Sequence, residues 1–181
     1  MKRVGLQIPL MVALVMGGLA GCSSSRRSPD VAGNLRGALD QAGYKNVSVS
    51  QDRDKGVVTL NGQVPALGDK QQVDNIARSV VGDEVVANQV AVVPPGAESV
   101  VKKVNADLDE AIAKNLDAAL IMNHLDKNVS ISVKNGVVTL TGEVRSDPNR
   151  RDAERIALSV PNVQQVVNEL QTKDRRATSS N

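Results

Sequence analysis

The chain has 181 residues, of which 41% are hydrophobic and only 1% aromatic, with Tyr44 as its one aromatic ring. Lysine and arginine together number 22, and aspartate and glutamate number 20. A nucleic-acid-binding protein needs a clear excess of positive charge and, for single strands, aromatic rings on which bases stack, so this composition excludes that class.

The chain begins with the features of an export signal. Met1-Lys2-Arg3 is a short basic start, and the apolar stretch that follows as far as Ala20 is short for a membrane span and is interrupted by glycine and proline. Residues 1–21 are therefore predicted to be a signal peptide that is removed. The mature chain would then carry equal numbers of basic and acidic residues.

The segment Leu19-Ala20-Gly21-Cys22 resembles the lipobox of bacterial lipoproteins, in which a peptidase cleaves before a cysteine that carries diacylglycerol. Cys22 is the only cysteine in the chain, so no intramolecular disulfide can form. The alternative is an exported protein with an incidental cysteine. The resemblance implies that acylated Cys22 anchors the protein and that Ser23 directs it to the outer membrane, where it faces the periplasm. Residues 22–30 would be a polar tether.

The remainder of the chain is an internal duplication. Residues 56–92 match residues 136–172 without a gap at 13 of 37 positions, and "GVVTLNGQV" stands against "GVVTLTGEV". Upstream, "NVSVS" at 46–50 matches "NVSIS" at 128–132. Two copies of one domain are therefore predicted.

The duplication sets the predicted domain boundaries. The first domain covers residues 31–93 and the second covers residues 104–173. The linker at 94–103 begins with two prolines, which end a strand and stiffen the connection. Residues 174–181 are predicted to be a disordered tail.

The spacing of apolar residues changes in the same order along both copies. A helix pattern with apolar residues every four positions comes first, then two alternating strand patterns, a second helix pattern and a last strand. The second helix of the second copy is predicted to begin at Asp147-Pro148, with Asp147 as its N-cap. Gly82 and Asn162 occupy equivalent positions and are predicted to end the second helices in the left-handed conformation.

The predicted fold class is therefore α+β. Each copy is an α-β-β-α-β unit, with a three-stranded mixed sheet covered on one face by two helices. The other face of each sheet needs a partner or stays polar. Gly62 and Gly142 fall on the covered face, where a missing side chain is expected to permit close packing of a helix.

These elements resemble a known family. The "GVVTLxGxV" strand, the "IAxSV" helix and the final "VxN" strand are similar to the BON domain, a small bacterial envelope module, over nearly all of residues 31–172. With the signal and lipobox, the chain resembles dual-BON outer-membrane lipoproteins, which implies association with phospholipid, support of envelope integrity and no catalysis. The chain departs from the family at Gly82-Asp83, where Gly-Val is usual.

No residue pattern indicates chemistry. His124 is the only histidine, and without a second histidine or a free cysteine nearby it favours helix-end packing or solvent over a metal site. The carboxylates of "DLDE", residues 107–110, complement a helix dipole at its start. Asn46 and Asn128 fit glycosylation sequons, but they are interpreted as repeated strand starts. The sequence therefore predicts no enzyme, no metal and no cofactor.

The candidate contact site lies on the first helix of the second copy. Ile121 and Met122 are about 100° and 200° around the helix axis from Leu120 of the buried stripe, so both are predicted to be exposed. In one interpretation they enter a lipid interface of anionic phospholipid, helped by Lys114 and Lys127. In the other, they pack against the first domain.

A second function class also stays open at this point. An adaptor or chaperone-like module would use the same surfaces, or the open sheet faces, to hold an envelope protein such as an assembly or secretion component. Binding of bare liposomes by a fragment without the lipid anchor would distinguish the membrane module from this alternative.

Overall fold

The computed structural model describes residues 27–125 and 127–172. The predicted signal peptide, Cys22 and the predicted tail lie outside these residues. Each copy has the predicted element order, with its last strand divided into two short pieces. The first domain contains α1 (Ala32–Gln41), β1 (Val47–Asp52), β2 (Val57–Val64), α2 (Leu67–Val81), β3 (Val85–Asn88) and β4 (Ala91–Val92). The second domain contains α3 (Glu98–Met122), β5 (Val129–Lys134), β6 (Val137–Val144), α4 (Asp147–Ser159), β7 (Gln165–Asn168) and β8 (Gln171–Thr172).

Each domain has a mixed sheet with its second strand in the centre. β1 pairs with β2 antiparallel, while β3 and then β4 pair with β2 in parallel, and the second domain repeats this arrangement. The two helices of each domain bury apolar stripes on one face of the sheet. The predicted α+β class and tandem repeat are therefore confirmed, with the third strand interrupted. The fully buried side chains include Leu35, Leu39, Leu60 and Val73 in the first domain and Ile112, Leu116, Leu120 and Leu140 in the second.

The interruption of the third strand is made by the asparagine of "VxN". The side-chain oxygen of Asn88 accepts a hydrogen bond from the backbone N–H of Val90 at 3.3 Å, and its amide donates to the carbonyl of Lys70 on α2 at 3.3 Å. Asn168 makes the equivalent bond to the N–H of Leu170 at 3.2 Å. This asparagine therefore ends the first piece of the strand and ties it to the second helix, which is a structural role.

Three expectations at element ends have different outcomes. Gly82 and Asn162 both have positive φ, 65° and 68°, but the left-handed helix end is not what forms: Gly82 has a ψ of −120°, outside the left-handed helical region, and α4 ends before Asn162, with extended Val160 as its C-cap. The N-cap expected at Asp147 is wrong by one residue, because the Ser146 hydroxyl accepts the N–H of Asn149 at 3.5 Å and Asp147 is the first helical residue. Residues 98–103 of the predicted linker are the beginning of α3, so the carboxylates of residues 107–110 lie inside this helix and the expectation that they stand at its start was wrong.

The repeated glycines have a role different from the one expected. Gly62 has a φ of 131° and Gly142 a φ of 116°. A Cβ on Gly62 would overlap the carbonyl oxygen of Asn46, and a Cβ on Gly142 would overlap that of Asn128. The glycines are thus required by the close approach of the neighbouring strand's backbone, and the expectation of close helix packing was wrong.

The outer faces of the two sheets cover each other. Val57, Ala87, Val137 and Val167 form one buried cluster between the domains, and each exposes 5% of its surface or less. Val57 and Val137 are equivalent positions of the duplication, as are Ala87 and Val167. The domains therefore pack through matching surfaces around an approximate two-fold axis, and the partner needed by each outer sheet face is the other domain.

Polar contacts around this cluster fix how the domains meet. The Lys55 ammonium donates to the Glu169 carboxylate at 2.5 Å, which raises the pKa of Lys55, and the Asn135 amide donates to the carbonyl of Gln89 at 2.7 Å. Each contact joins a hairpin turn of one domain to the strand break of the other. The two domains therefore run in opposite directions along the shared interface.

The edge of β3 receives a contact of its own from the second domain. The amide of Gln165 donates to the carbonyl of Val86 at 2.6 Å and accepts the N–H of Asn88 at 3.3 Å. Because β3 is an edge strand, this side chain satisfies backbone groups that another chain would otherwise pair with.

Candidate functional site

Helix α3 ends in a Schellman motif that fixes the candidate site. The N–H of Leu125 donates to the carbonyl of Leu120 at 2.9 Å, and the N–H of His124 donates to that of Ile121 at 3.0 Å. His124 has a φ of 58° and an exposed side chain, while Leu120 and Leu125 are both buried. The chain's only histidine is thus the left-handed residue that ends a helix, at the place where α1 has Gly43.

Ile121 and Met122 project away from the protein. Ile121 is 51% exposed and Met122 is 81% exposed. The alternative in which they pack against the first domain therefore does not hold. At the equivalent positions of the first domain, immediately before the end of α1, the sequence has Asp40 and Gln41. The two copies thus differ here by the replacement of two polar side chains with two apolar ones.

Basic side chains lie at the turn that follows this apolar pair. Lys127 and Arg145 line a shallow cleft together with His124 and Glu143. The N–H of Glu143 donates to the carbonyl of Asn128 at 3.0 Å and so brings the end of β6 to this turn. Sequence reasoning found Lys127 and missed Arg145, which stands where the first copy has Pro65 and follows the repeated strand.

Lys114 is not part of that cleft. It lies two turns before Ile121 on α3, and its ammonium contacts the Glu110 carboxylate at 2.6 Å. This hydrogen bond raises the pKa of Lys114 and lowers that of Glu110. The predicted group of Ile121, Met122, Lys114 and Lys127 is therefore divided, with Lys114 in an exposed ion pair on the same helix.

The N-terminal segment meets the first domain at the turn between β1 and β2. The N–H of Ser28 donates to the carbonyl of Arg53 at 2.9 Å, and the Arg53 guanidinium donates back to the carbonyl of Ser28 at 2.8 Å. Arg27 pairs with Asp54 at 2.7 Å, a contact that raises the pKa of Arg27 and lowers that of Asp54. The last residues of the predicted tether thus lie along the hairpin turn between β1 and β2.

This turn and the end of α3 lie at one end of the molecule. Asp54 and Lys55 line a cleft of about 450 Å³ together with Glu143 of the second domain. Glu143 also lines the next cleft, with His124 and Lys127. The end of the molecule that carries Arg27, Asp54, Ile121, Met122 and Lys127 is here named the contact end.

Two features of the described residues bear on what this arrangement can do. No group of three or more His, Cys, Asp or Glu residues within 27–125 and 127–172 is placed to hold a metal ion. In the same part of the chain, no helix combines the length and the apolar character needed to cross a bilayer. The arrangement can bring apolar and basic side chains to a surface at the end where the N-terminal segment arrives.

The match to a known family agrees with the duplicated fold. The BON domain model matches residues 29–94 and again residues 108–174. The chain is 30% identical over 146 residues to osmotically-inducible protein Y of Escherichia coli (strain K12), across 79% of this chain and 71% of that protein. Two structures of CdsD, a structural protein of the type III secretion system of Chlamydia trachomatis, are 14% identical with TM-scores of 0.34 and 0.36. They cover 80% and 83% of this chain, and 98% and 96% of their own. With two matches to the family model that span most of its length, the chain belongs to the BON domain family.

Proposed function

We propose that this protein is a non-catalytic outer-membrane lipoprotein that faces the periplasm, associates with anionic phospholipid through its contact end and supports the integrity of the cell envelope. The observation that carries the proposal is the position of the exposed pair Ile121 and Met122, at the end where the chain arrives from Cys22. Four residues lie between Cys22 and Arg27, so the two Cα atoms are at most about 18 Å apart. An anchor at Cys22 would hold this end at the bilayer.

The expected strength of the contact follows from its composition. Full burial of an isoleucine or methionine side chain contributes about 1.5–3 kcal/mol, and a basic residue near an anionic surface adds about 1 kcal/mol. Lys127 and Arg145 supply that charge, while Glu143 opposes it. Binding of this size is weak on its own. An acyl anchor keeps the contact end close to the bilayer, so the contact then serves to orient the protein on the membrane.

Two further observations support the proposal. The chain belongs to the BON domain family, and the alignment with the relative from Escherichia coli covers 79% of the chain. The only histidine, His124, has the left-handed backbone conformation that ends α3, which gives the residue a structural role that does not depend on its imidazole.

The test is sedimentation of residues 23–181 with neutral and with anionic vesicles. This fragment keeps every described residue and lacks the lipid. The double variant Ile121→Asp, Met122→Gln has the polarity found at the equivalent positions Asp40 and Gln41. Leu158→Asp is the matched control, because Leu158 is 58% exposed near the end of α4, at the opposite end of the sheet.

We expect the unchanged fragment to bind anionic vesicles in a salt-sensitive manner. The double variant should bind at least about tenfold more weakly, corresponding to 1.4 kcal/mol, whereas Leu158→Asp should bind as the unchanged fragment does. Equal binding by the double variant would contradict the proposed contact end. Absence of vesicle binding by the unchanged fragment would leave Cys22 as the membrane contact and favour the adaptor or chaperone-like alternative.

The anchor is tested separately in the full chain. Metabolic labelling with palmitate should modify the protein, and Cys22→Ala should abolish the label and release the protein from the membrane fraction. Labelling that persists in Cys22→Ala would contradict the assignment of the lipid site.

A further inference from the structure

Two related clefts flank the apolar cluster between the domains. The first, of about 490 Å³, is lined by Lys70 on α2 and by Gln164 and Gln165 of the second domain. The second, of about 450 Å³, contains Arg150 on α4 and residues of the first domain. Lys70 and Arg150 are equivalent positions of the duplication. The clefts, named here the Lys70 cleft and the Arg150 cleft, are therefore two versions of one site.

The duplicated clefts have opposite electrostatic character. The Arg150 cleft contains four carboxylates against Arg150 and Lys55, and these carboxylates belong to Asp54, Glu143, Asp147 and Glu169. Among the described residues that line the Lys70 cleft, Asp74 alone carries a carboxylate, and it pairs with Arg78 at 2.6 Å. Where the second copy has Asp147, the first has Leu67. Lys70 and Arg78 against Asp74 leave this cleft with one positive charge in excess.

The ammonium of Lys70 is half-buried and held by a neutral group. It donates to the side-chain oxygen of Gln164 at 3.1 Å. Burial lowers the pKa of Lys70, and the nearby Asp74 opposes that shift. An ammonium has three donors, so a half-buried one beside an open cleft gains from an anion that replaces its lost hydration.

We propose that the Lys70 cleft binds a small anion of the phosphate class, with Lys70 supplying the charge and the amides of Gln71 and Asn75 supplying further hydrogen bonds. Its volume lies within the range of about 300–1,000 Å³ that is usual for small-ligand sites. Arg78 extends the basic wall of the cleft. The site is a second one, separate from the contact end.

The position of the cleft favours a soluble ligand over a lipid headgroup. Lys70 lies in the first turns of α2, which follows the end of β2, whereas Arg27 lies at the turn that precedes β2. Gln164 lies at the start of β7, near Gly136, whose carbonyl accepts its N–H at 2.8 Å. The Lys70 cleft is thus at the end of the molecule opposite the contact end. A protein whose contact end rests on a bilayer would present this cleft to the solution.

The test is a nuclear magnetic resonance titration of residues 23–181 with inorganic phosphate, and then with glycerol 3-phosphate. We expect saturable shifts of the amide signals of Lys70, Gln71, Gln164 and Gln165. Lys70→Gln should weaken binding about tenfold or more, while Arg150→Gln, the matched change in the other cleft, should change it less than about twofold. The pKa of the Lys70 ammonium should rise when phosphate is bound.

Shifts that stay linear in phosphate and spread over the surface would overturn the proposal, as would equal weakening by Lys70→Gln and Arg150→Gln. The vesicle assay separates the two possible sources of phosphate. Lys70→Gln should bind anionic vesicles as the unchanged fragment does. Loss of vesicle binding in Lys70→Gln, with no saturable phosphate binding, would refute a site for soluble anions. Loss of vesicle binding in the Ile121, Met122 variant bears only on the contact end.

Discussion

Replacement of Gly142 by alanine should severely destabilise the second domain. The new Cβ would overlap the carbonyl oxygen of Asn128, and the backbone at Gly142 has a φ of 116°. The overlapping atom belongs to the backbone at the start of β5, so no side-chain rotation can relieve the contact. Either β5 or β6 has to move.

The size of the effect can be estimated from what must be lost. An L-residue held at such a φ costs about 1–3 kcal/mol. Displacement of Asn128 also removes the hydrogen bond from the N–H of Glu143 to its carbonyl, 3.0 Å long, which is worth about 1 kcal/mol. With partial loss of packing at the strand start, we expect a decrease of about 3–5 kcal/mol in the free energy of unfolding. This is a large part of the stability of a small domain.

Urea denaturation followed by circular dichroism measures this decrease. Gly62→Ala should have the same effect in the first domain, since its Cβ would overlap the carbonyl oxygen of Asn46. Gly37→Ala is the matched control, because nothing lies within 4 Å of the added Cβ and the residue is inside α1. That change should stabilise by about 0.5–1 kcal/mol. Tolerance of Gly142→Ala within about 1 kcal/mol of the unchanged protein would refute this role of the glycine.

Two further predictions concern the domain interface and Lys70. Val137→Asp places a charge in the cluster between the sheets, where Val137 is 1% exposed, so the domains should separate and the radius of gyration in X-ray scattering should increase. Val104→Asp, on the exposed face of α3, should leave that radius unchanged, and an unchanged radius in Val137→Asp would refute the interface. The pKa of Lys70 is lowered by burial from its ordinary 10.5. At pH values between the lowered pKa of the folded protein and the ordinary pKa of the unfolded chain, the unfolded chain therefore binds more protons than the folded one. The unfolding free energy of the unchanged protein should therefore rise relative to Lys70→Gln as the pH increases through that window, and a constant difference would contradict the burial of the ammonium.

Much of the fold could be predicted from the spacing of apolar residues and from the internal duplication of the sequence. The helix stripes and alternating strands specify α-β-β-α-β, and the duplication supports each assignment twice. The break in the third strand could not be predicted in this way, because it depends on the side-chain hydrogen bonds of Asn88 and Asn168 to nearby backbone and helix. The N-cap shift to Ser146 has the same origin, since neighbouring serine and aspartate are both good caps.

The domain interface left a signal in the sequence. In "GVV" at 56–58 and 136–138, two consecutive valines interrupt the alternation of apolar and polar residues. Val58 faces the helices and Val57 faces the other domain, so the pair marks a strand that is buried on both faces. The local pattern indicates that the outer valine is buried. It does not indicate that the other domain covers it, because that contact joins residues far apart in the sequence.

The candidate site was only partly predictable for a similar reason. The exposure of Ile121 and Met122 follows from the angle of each residue around α3. Arg145 and the arrival of Arg27 at the same end depend on how two antiparallel domains are placed side by side. Spacing along the chain does not contain that information.

In the proposed orientation, the end carrying Met122 faces the bilayer and the end carrying Gln164 faces away from it. Residues 23–181 contain no cysteine, because Cys22 is the only one in the chain, so Met122→Cys and Gln164→Cys each give a single labelling site. With an environment-sensitive fluorophore on these cysteines, anionic vesicles should shift the emission at position 122 to the blue and leave the emission at position 164 unchanged. Lipid-borne quenchers should likewise act at 122 alone. An equal response at both positions, or a response at 164 alone, would contradict this orientation.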